Sequence, residues 1–215
     1  MKKTSIAVLV SGGGTNLQAL IDAQSRRELE HGEIKLVVSN KPGAYALERA
    51  EKADIPTKVI TRKDCGGQEG FEQALSEALA EAEIDLIILA GFMTILSADF
   101  PKNYPRRILN VHPALIPSFC GKGMYGLRVH EAALSYGVKV TGATVHFVNE
   151  IPDGGEILLQ KPVYIEAGDT PETLQRRVME QAEWVILPQA AELVSRQIME
   201  EKEKRHDRFS GILKK

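Results

Sequence analysis

Residues 5–23 read SIAVLVSGGGTNLQALIDA. An unbroken apolar run, Ser5 to Val10, meets three glycines, and apolar residues at helical spacing follow. A run without polar alternation fits a strand covered on both faces, and the glycines mark where strand gives way to helix. The pattern repeats. Ile34–Ser39 precedes AYALERAEKA, Thr57–Ile60 precedes GFEQALSEALAEA, and Leu86–Ala90 and Ile108–His112 are further runs. Strands alternating with helices predict a mostly parallel α/β sheet with helices on both faces. Crossovers in such a sheet are right-handed, and ligands bind beyond the carboxyl ends of its strands.

The second half has a different grammar. GVKVTGATVHFV (137–148) and GEILLQKPVYI (155–165) both read as strands, joined only by NEIPDG. Six residues are too few for a helical crossover, so these strands predict an antiparallel hairpin added to the C-terminal side of a Rossmann-like sheet. Next, Thr170 as N-cap and Pro171 at the first helical position start a helix. Leu174, Val178, Ala182 and Val185 give that helix a face for the sheet.

With 215 residues, 43% apolar and 26% charged, the chain has the composition of one globular domain. No linker or repeat divides it. We expect a single domain over 1–200 and a solvated tail over 201–215. A formal charge of −2 offers no bulk field for nucleic acid or an anionic membrane. The apolar run near the N-terminus is too short for a signal core or a span. Cys65 and Cys120 are far apart and form no metal-binding spacing. These features predict a cytoplasmic protein with reduced thiols, no metal, and a monomeric or homodimeric state.

Gly12, Gly13 and Gly14 lead into Thr15 and Asn16 at the start of the first helix. Free N–H groups there suit a phosphate, and a plain tight turn explains the glycines equally well. A dinucleotide fingerprint fits badly: Leu17 stands where its third glycine belongs, and the second strand ends in Asn40 rather than an acidic residue. No GxxxxGK[ST] occurs. A small phosphate monoester therefore suits the loop better than NAD or ATP.

Asn110 and His112 end a strand, two residues apart, and so point to the same side. Pro113 then stops the ladder. The pair reads either as a hydrogen-bonded strand end or as a reaction centre. Asp153, in NEIPDGG, reads as a turn residue on local grounds alone.

Taken together and in order, LVSGGGTNLQAL, VVSNKPGAYALERA, LAGFMTIL, NVHPALIPSFCGKG and GATVHFVNEIPDGGEILLQ closely resemble the phosphoribosylglycinamide formyltransferases, a branch of the folate-dependent formyltransferases. The resemblance runs from about residue 5 to about residue 195. It implies transfer of the formyl group of 10-formyltetrahydrofolate to the amine of glycinamide ribonucleotide in purine synthesis, with Asn110, His112 and Asp153 as the catalytic trio. The nucleotide would then belong to the N-terminal half of the domain, and folate and catalysis to the C-terminal half. The resemblance also implies phosphate binding at Gly14, Thr15 and Asn16, and pterin binding along Met93, Thr94, Ile95 and Leu96 with Asn110. Thr94 replaces the family's usual Arg. Gln68 takes the place of a basic residue associated with the folate site. Glu183 is the best match for the substrate-amine contact, although its spacing differs by one residue, a turn of roughly 100° on a helix. Lys122 and Arg128 read as solvated surface, and Cys120 has no role as a nucleophile in direct amine attack.

The residue types suit that chemistry. Attack on the formyl carbon creates an oxyanion that Asn110 and His112 can stabilise. A carboxylate at Asp153 favours the charged form of a neighbouring imidazole, and can hold a water that relays a proton. The alternatives are a formyltetrahydrofolate hydrolase and a non-catalytic nucleotide or folate binder. Those hydrolases usually carry an N-terminal regulatory domain, which we expect to be absent here because the first strand starts at Ser5. Transfer to methionyl-tRNA needs a longer chain, and a dehydrogenase is opposed by Leu17 and Asn40.

Overall fold

The structure, a computed structural model, describes residues 2–212, with side chains described through 204. Its strands are β1 (Thr4–Val10), β2 (Gly32–Ser39), β3 (Thr57–Val59), β4 (Leu86–Leu89), β5 (Ile108–His112), β6 (Val140–Phe147) and β7 (Ile157–Tyr164). They form one sheet in the order β3-β2-β1-β4-β5-β6-β7. The first five pair in parallel. β6 pairs antiparallel with both β5 and β7, so the expected hairpin closes the sheet. The helices are α1 (Thr15–Ser25), α2 (Tyr45–Lys52), α3 (Gln68–Glu81), α4 (Leu127–Tyr136), α5 (Pro171–Val178) and α6 (Trp184–Ile212).

Strand β1 lies in the middle because all seven of its residues are buried. Alternate side chains serve two cores. Ile6, Val8 and Val10 pack with Leu17 and Leu20 of α1, Leu174 of α5 and Ile186 of α6. Ala7 and Leu9 pack with Phe71, Leu75 and Leu79 of α3. Each fully buried Val- or Leu-sized side chain contributes about 1.5–3 kcal/mol, which is why an unbroken apolar run belongs in the centre of a covered sheet. The strand order reverses between β1 and β4. Their carboxyl ends, Ser11–Gly14 and Ala90–Met93, therefore flank the crevice where such sheets hold ligands.

Two features depart from the sequence pattern. Helix α4 occupies a stretch to which the sequence pattern assigns no element. Gly126 precedes it, no side chain caps its start, and Gly137 ends it in the left-handed conformation. The second departure is a π-helical turn, Met179–Glu183, between α5 and α6. Leu174, Val178 and Ala182 face the core as expected, but Ile186 is buried and Val185 only partly so. The wider turn takes up one extra residue, so the inward position falls one place later than a 3.6-residue period predicts. It also turns Glu183 inward, where it is 7% exposed.

Helix α6 runs past residue 200 without a break. Exposed Glu201 and Lys202 pair with Arg107 and Asp85. Of the solvated tail expected over 201–215, residues 213–215 lie outside the described residues.

The start of α5 is tied down electrostatically. Thr170 and Thr173 form a capping box. Asp169 accepts 2.5 and 2.7 Å bonds from Arg177 and a 2.8 Å bond from the Glu166 N–H. The Arg177 bond is the main reason its carboxyl is held down at about 2. A depressed carboxyl pKa stabilises the fold above the unfolded value, and that contribution is lost as pH falls from about 4 towards 2. Asp169→Asn is expected to cost about 2 kcal/mol at pH 7, with the deficit closing over that acid window. Urea midpoints of both proteins at a series of pH values measure it.

Candidate active site

Asn110 and His112 lie on one side of β5, in register with His146 and Thr144 of β6. Their neighbours Leu109 and Val111 point into the opposite core. After Pro113 the chain folds back over the polar side. The Thr144 hydroxyl pins it there, donating to the Ala114 carbonyl at 2.7 Å and accepting the Ile116 N–H at 3.0 Å.

Asp153 reaches this surface from the β6–β7 turn. Its backbone is left-handed, with φ 55°, a conformation Asp tolerates better than most residues. The turn must be tight. A Cβ on Gly155 would sit 1.7 Å from the Phe147 carbonyl oxygen, so only glycine fits. The carboxylate accepts the Gly121 N–H at 2.8 Å on Oδ2 and the Asn110 amide at 3.4 Å on Oδ1. Burial opposes its ionisation, but the His146 imidazole, the Gly121 N–H and His112 together outweigh this, and its pKa falls below the ordinary carboxylate value.

His112 Nδ1 is 3.6 Å from Asp153 Oδ2, close enough for charge attraction and too long for a direct hydrogen bond. Its Nε2 lies 2.9 Å from the Phe119 carbonyl. Both ring nitrogens thus face oxygen acceptors. His112 is 4% exposed.

The sequence pattern does not single out His146, which is 1% exposed. Its Nε2 lies 3.1 Å from Asn110 Nδ2, and its Nδ1 lies 2.9 Å from the Phe147 carbonyl. Its position opposite Asn110 is the signal that could have found it. Strand β6 alternates Ala143, Val145 and Phe147 towards the core with Thr144 and His146 towards the site.

A cleft of about 620 Å³ opens beside these groups. Its lining includes Asn16, Met93, Asn110, His112, Asp153 and Glu183. Asn16 donates to Glu183 Oε2 at 2.7 Å, joining the first turn of α1 to the π-helical turn. Burial pushes the Glu183 carboxyl up, only partly opposed by that bond. A smaller slot of about 160 Å³ adjoins, lined by Thr94, Ile95, Leu96, Val148 and Ile151 and sharing Asn110 and Asp153 with the cleft. Apolar Met93, Ile95 and Ile151 stand exposed at these openings.

The glycine loop opens α1 with no side-chain cap, which leaves the first-turn N–H groups of Thr15 and Asn16 without intrahelical partners. Gly14 is left-handed, with φ 72°. The 93–96 segment is anchored from behind. Met93 N–H donates to Ser11 at 2.7 Å and Asn40 donates to Thr94 at 2.5 Å. Gln68 lines neither opening; its amide donates to the Ile95 carbonyl at 3.2 Å, beside Arg62. Lys122 is exposed at the cleft, and Arg128 lies over the Tyr125 ring. Burial, then the Asp153 charge, raises the Cys120 thiol, which disfavours the thiolate.

The described residues contain no cluster of three or more His, Cys, Asp or Glu arranged to hold a metal ion. An amide donor, an imidazole and a carboxylate at the mouth of a sheet-end cleft form the kind of site that handles acyl groups. The chain belongs to the formyl transferase family, whose sequence profile matches residues 4–191. It is 43% identical over 188 residues to the phosphoribosylglycinamide formyltransferase of Haemophilus influenzae, covering 87% of this chain and 84% of that one. It is 48% identical over 193 residues to the trifunctional purine biosynthetic protein adenosine-3 of Gallus gallus, covering 90% of this chain and 18% of that protein's length. Among solved structures, phosphoribosylglycinamide formyltransferase from Brucella melitensis superposes with a TM-score of 0.83 at 41% identity, covering 90% and 96% of the two chains. Glycinamide ribonucleotide transformylase 1 from Symbiobacterium toebii gives 0.84 at 38% identity, covering 91% and 89%.

Proposed function

We propose that this protein transfers the formyl group of 10-formyltetrahydrofolate to the amine of glycinamide ribonucleotide. The observation that carries the reading is the convergence of Asn110, His112 and Asp153 on one cleft that also reaches Asn16 and Glu183. Relatives named for this activity, matched over most of both chains, support it.

The nucleotide phosphate takes the N–H groups of Gly14, Thr15 and Asn16 at the start of α1. Glu183 meets the substrate amine. The pterin enters the slot along Met93, Thr94, Ile95 and Leu96, with its formyl end beside Asn110. Gln68 supports that segment through the Ile95 carbonyl.

The amine attacks the formyl carbon, and the carbonyl oxygen becomes an oxyanion. The Asn110 N–H donates to it, and His112 lends its imidazole from the same side of β5. Collapse breaks the bond to folate N10. One proton leaves the amine and one reaches N10, so the exchange balances without an added acid. The His112 and Asp153 pair is positioned to relay it. Tetrahydrofolate release that depends on glycinamide ribonucleotide tests the reading. Release without the nucleotide would instead point to hydrolysis.

A further inference from the structure

The hydrogen bonds around Asn110 settle which way its amide points, and they do so through a residue that the proposed chemistry does not use. The Asn110 atom that faces His146 Nε2 at 3.1 Å is the same atom that lies 3.4 Å from Asp153 Oδ1. Asp153 accepts the Gly121 N–H at 2.8 Å on its other oxygen and, as a carboxylate, offers only acceptor sites. An amide oxygen there would face an anion, so the atom is the NH2 nitrogen. His146 Nε2 must then be the acceptor. The other ring nitrogen, Nδ1, lies 2.9 Å from the Phe147 carbonyl oxygen and must be the donor. Both requirements meet in one form of the ring: neutral, with its proton on Nδ1.

The fold holds that ring firmly. His146 is directly opposite Asn110 in the β5–β6 pairing. The β6–β7 register shifts between Val145 and His146, a bulge that re-aims side chains in a strand. The nearest Asp153 oxygen is 3.6 Å from Nε2, too far to compete for it with the Asn110 amide.

We infer that His146 is a positioning residue: its Nε2 lone pair accepts one Asn110 N–H and so orients the amide with its second N–H, on the side of Asp153, towards the reaction centre. Rotating the amide by about 180° would bring its oxygen towards the developing oxyanion and replace attraction by repulsion. His146 touches no reacting atom and acts through Asn110. The inference rests on the formyl-transfer reading above for its kinetic consequence, but not for the ring's tautomer.

Two substitutions separate this role from a merely structural one. A Gln amide reaches the place of Nε2 and can present an oxygen to Asn110. An Asn amide reaches the place of Nδ1 and can keep only the bond to the Phe147 carbonyl. His146→Gln is expected to stay within about fivefold of the parent kcat, and His146→Asn to lose roughly 10- to 100-fold with KM for both substrates little changed, short of losing an oxyanion donor outright. Retention of kcat by His146→Asn, or equal losses in the two variants, would overturn the role. Nitrogen-15 NMR of the unsubstituted protein at neutral pH provides a readout independent of turnover. An unprotonated Nε2 and a protonated Nδ1 on His146 are expected, and a proton on Nε2 would overturn the inference even if the protein proved not to transfer formyl groups.

Discussion

Asp153→Asn is expected to lower the rate of formyl transfer by about 10³-fold, the scale of losing a proton relay together with the charge that supports it. The substitution keeps the size of the side chain and can still accept the Gly121 N–H that Asp153 holds at 2.8 Å. What disappears is the negative charge 3.6 Å from His112. Nucleotide affinity should change by less than about threefold, because the phosphate site proposed at the start of α1 shares no hydrogen bond with Asp153. Single-turnover rates and calorimetric nucleotide binding on the same preparation separate the two effects. Equal losses in both would make Asp153 a structural residue of the β6–β7 turn.

Gly14→Ala is expected to cost about 2–4 kcal/mol of stability, adding left-handed strain to overpacking. At φ 72° a Cβ on residue 14 would lie 2.6 Å from the Ala46 Cβ and 2.8 Å from its Cα. The clash is with α2 itself, which the Ala46 N–H ties to the Gly12 carbonyl at 3.0 Å. Gly13 makes the informative contrast. A Cβ there meets nothing within 4 Å, so Gly13→Ala should fold like the parent. If the nucleotide phosphate docks on this loop, the added methyl still obstructs the approach and affinity falls by about tenfold or more. Thermal melts and nucleotide titrations of both variants provide the check. Unchanged affinity in Gly13→Ala would move the phosphate away from the loop.

The sheet was legible because strands buried on both faces leave an unbroken apolar run, and because NEIPDG is too short to cross over. Ile108–His112 has the same bounds in the structure as in the sequence pattern. Helix α4 was not legible: it begins after a glycine with no capping side chain, within a segment rich in glycine. The π-helical turn left only an awkward spacing before Glu183, and tertiary packing of Ile186 settles how that spacing is absorbed. Within the site, Asn110 and His112 could be paired from strand periodicity alone. Asp153 needed the family resemblance, since Asp-Gly in a turn has an ordinary local explanation. His146 sits in an apolar strand, and its partner across β5 depends on a register that local sequence does not state. Asn40, which argued against a dinucleotide, holds Thr94 in place.

The most direct test of the account is to give the purified protein 10-formyltetrahydrofolate with and without glycinamide ribonucleotide and follow tetrahydrofolate release. Release that requires the nucleotide, matched by one formylated nucleotide per tetrahydrofolate, is the predicted result. Release at the same rate without it, or none in either case, would contradict the account.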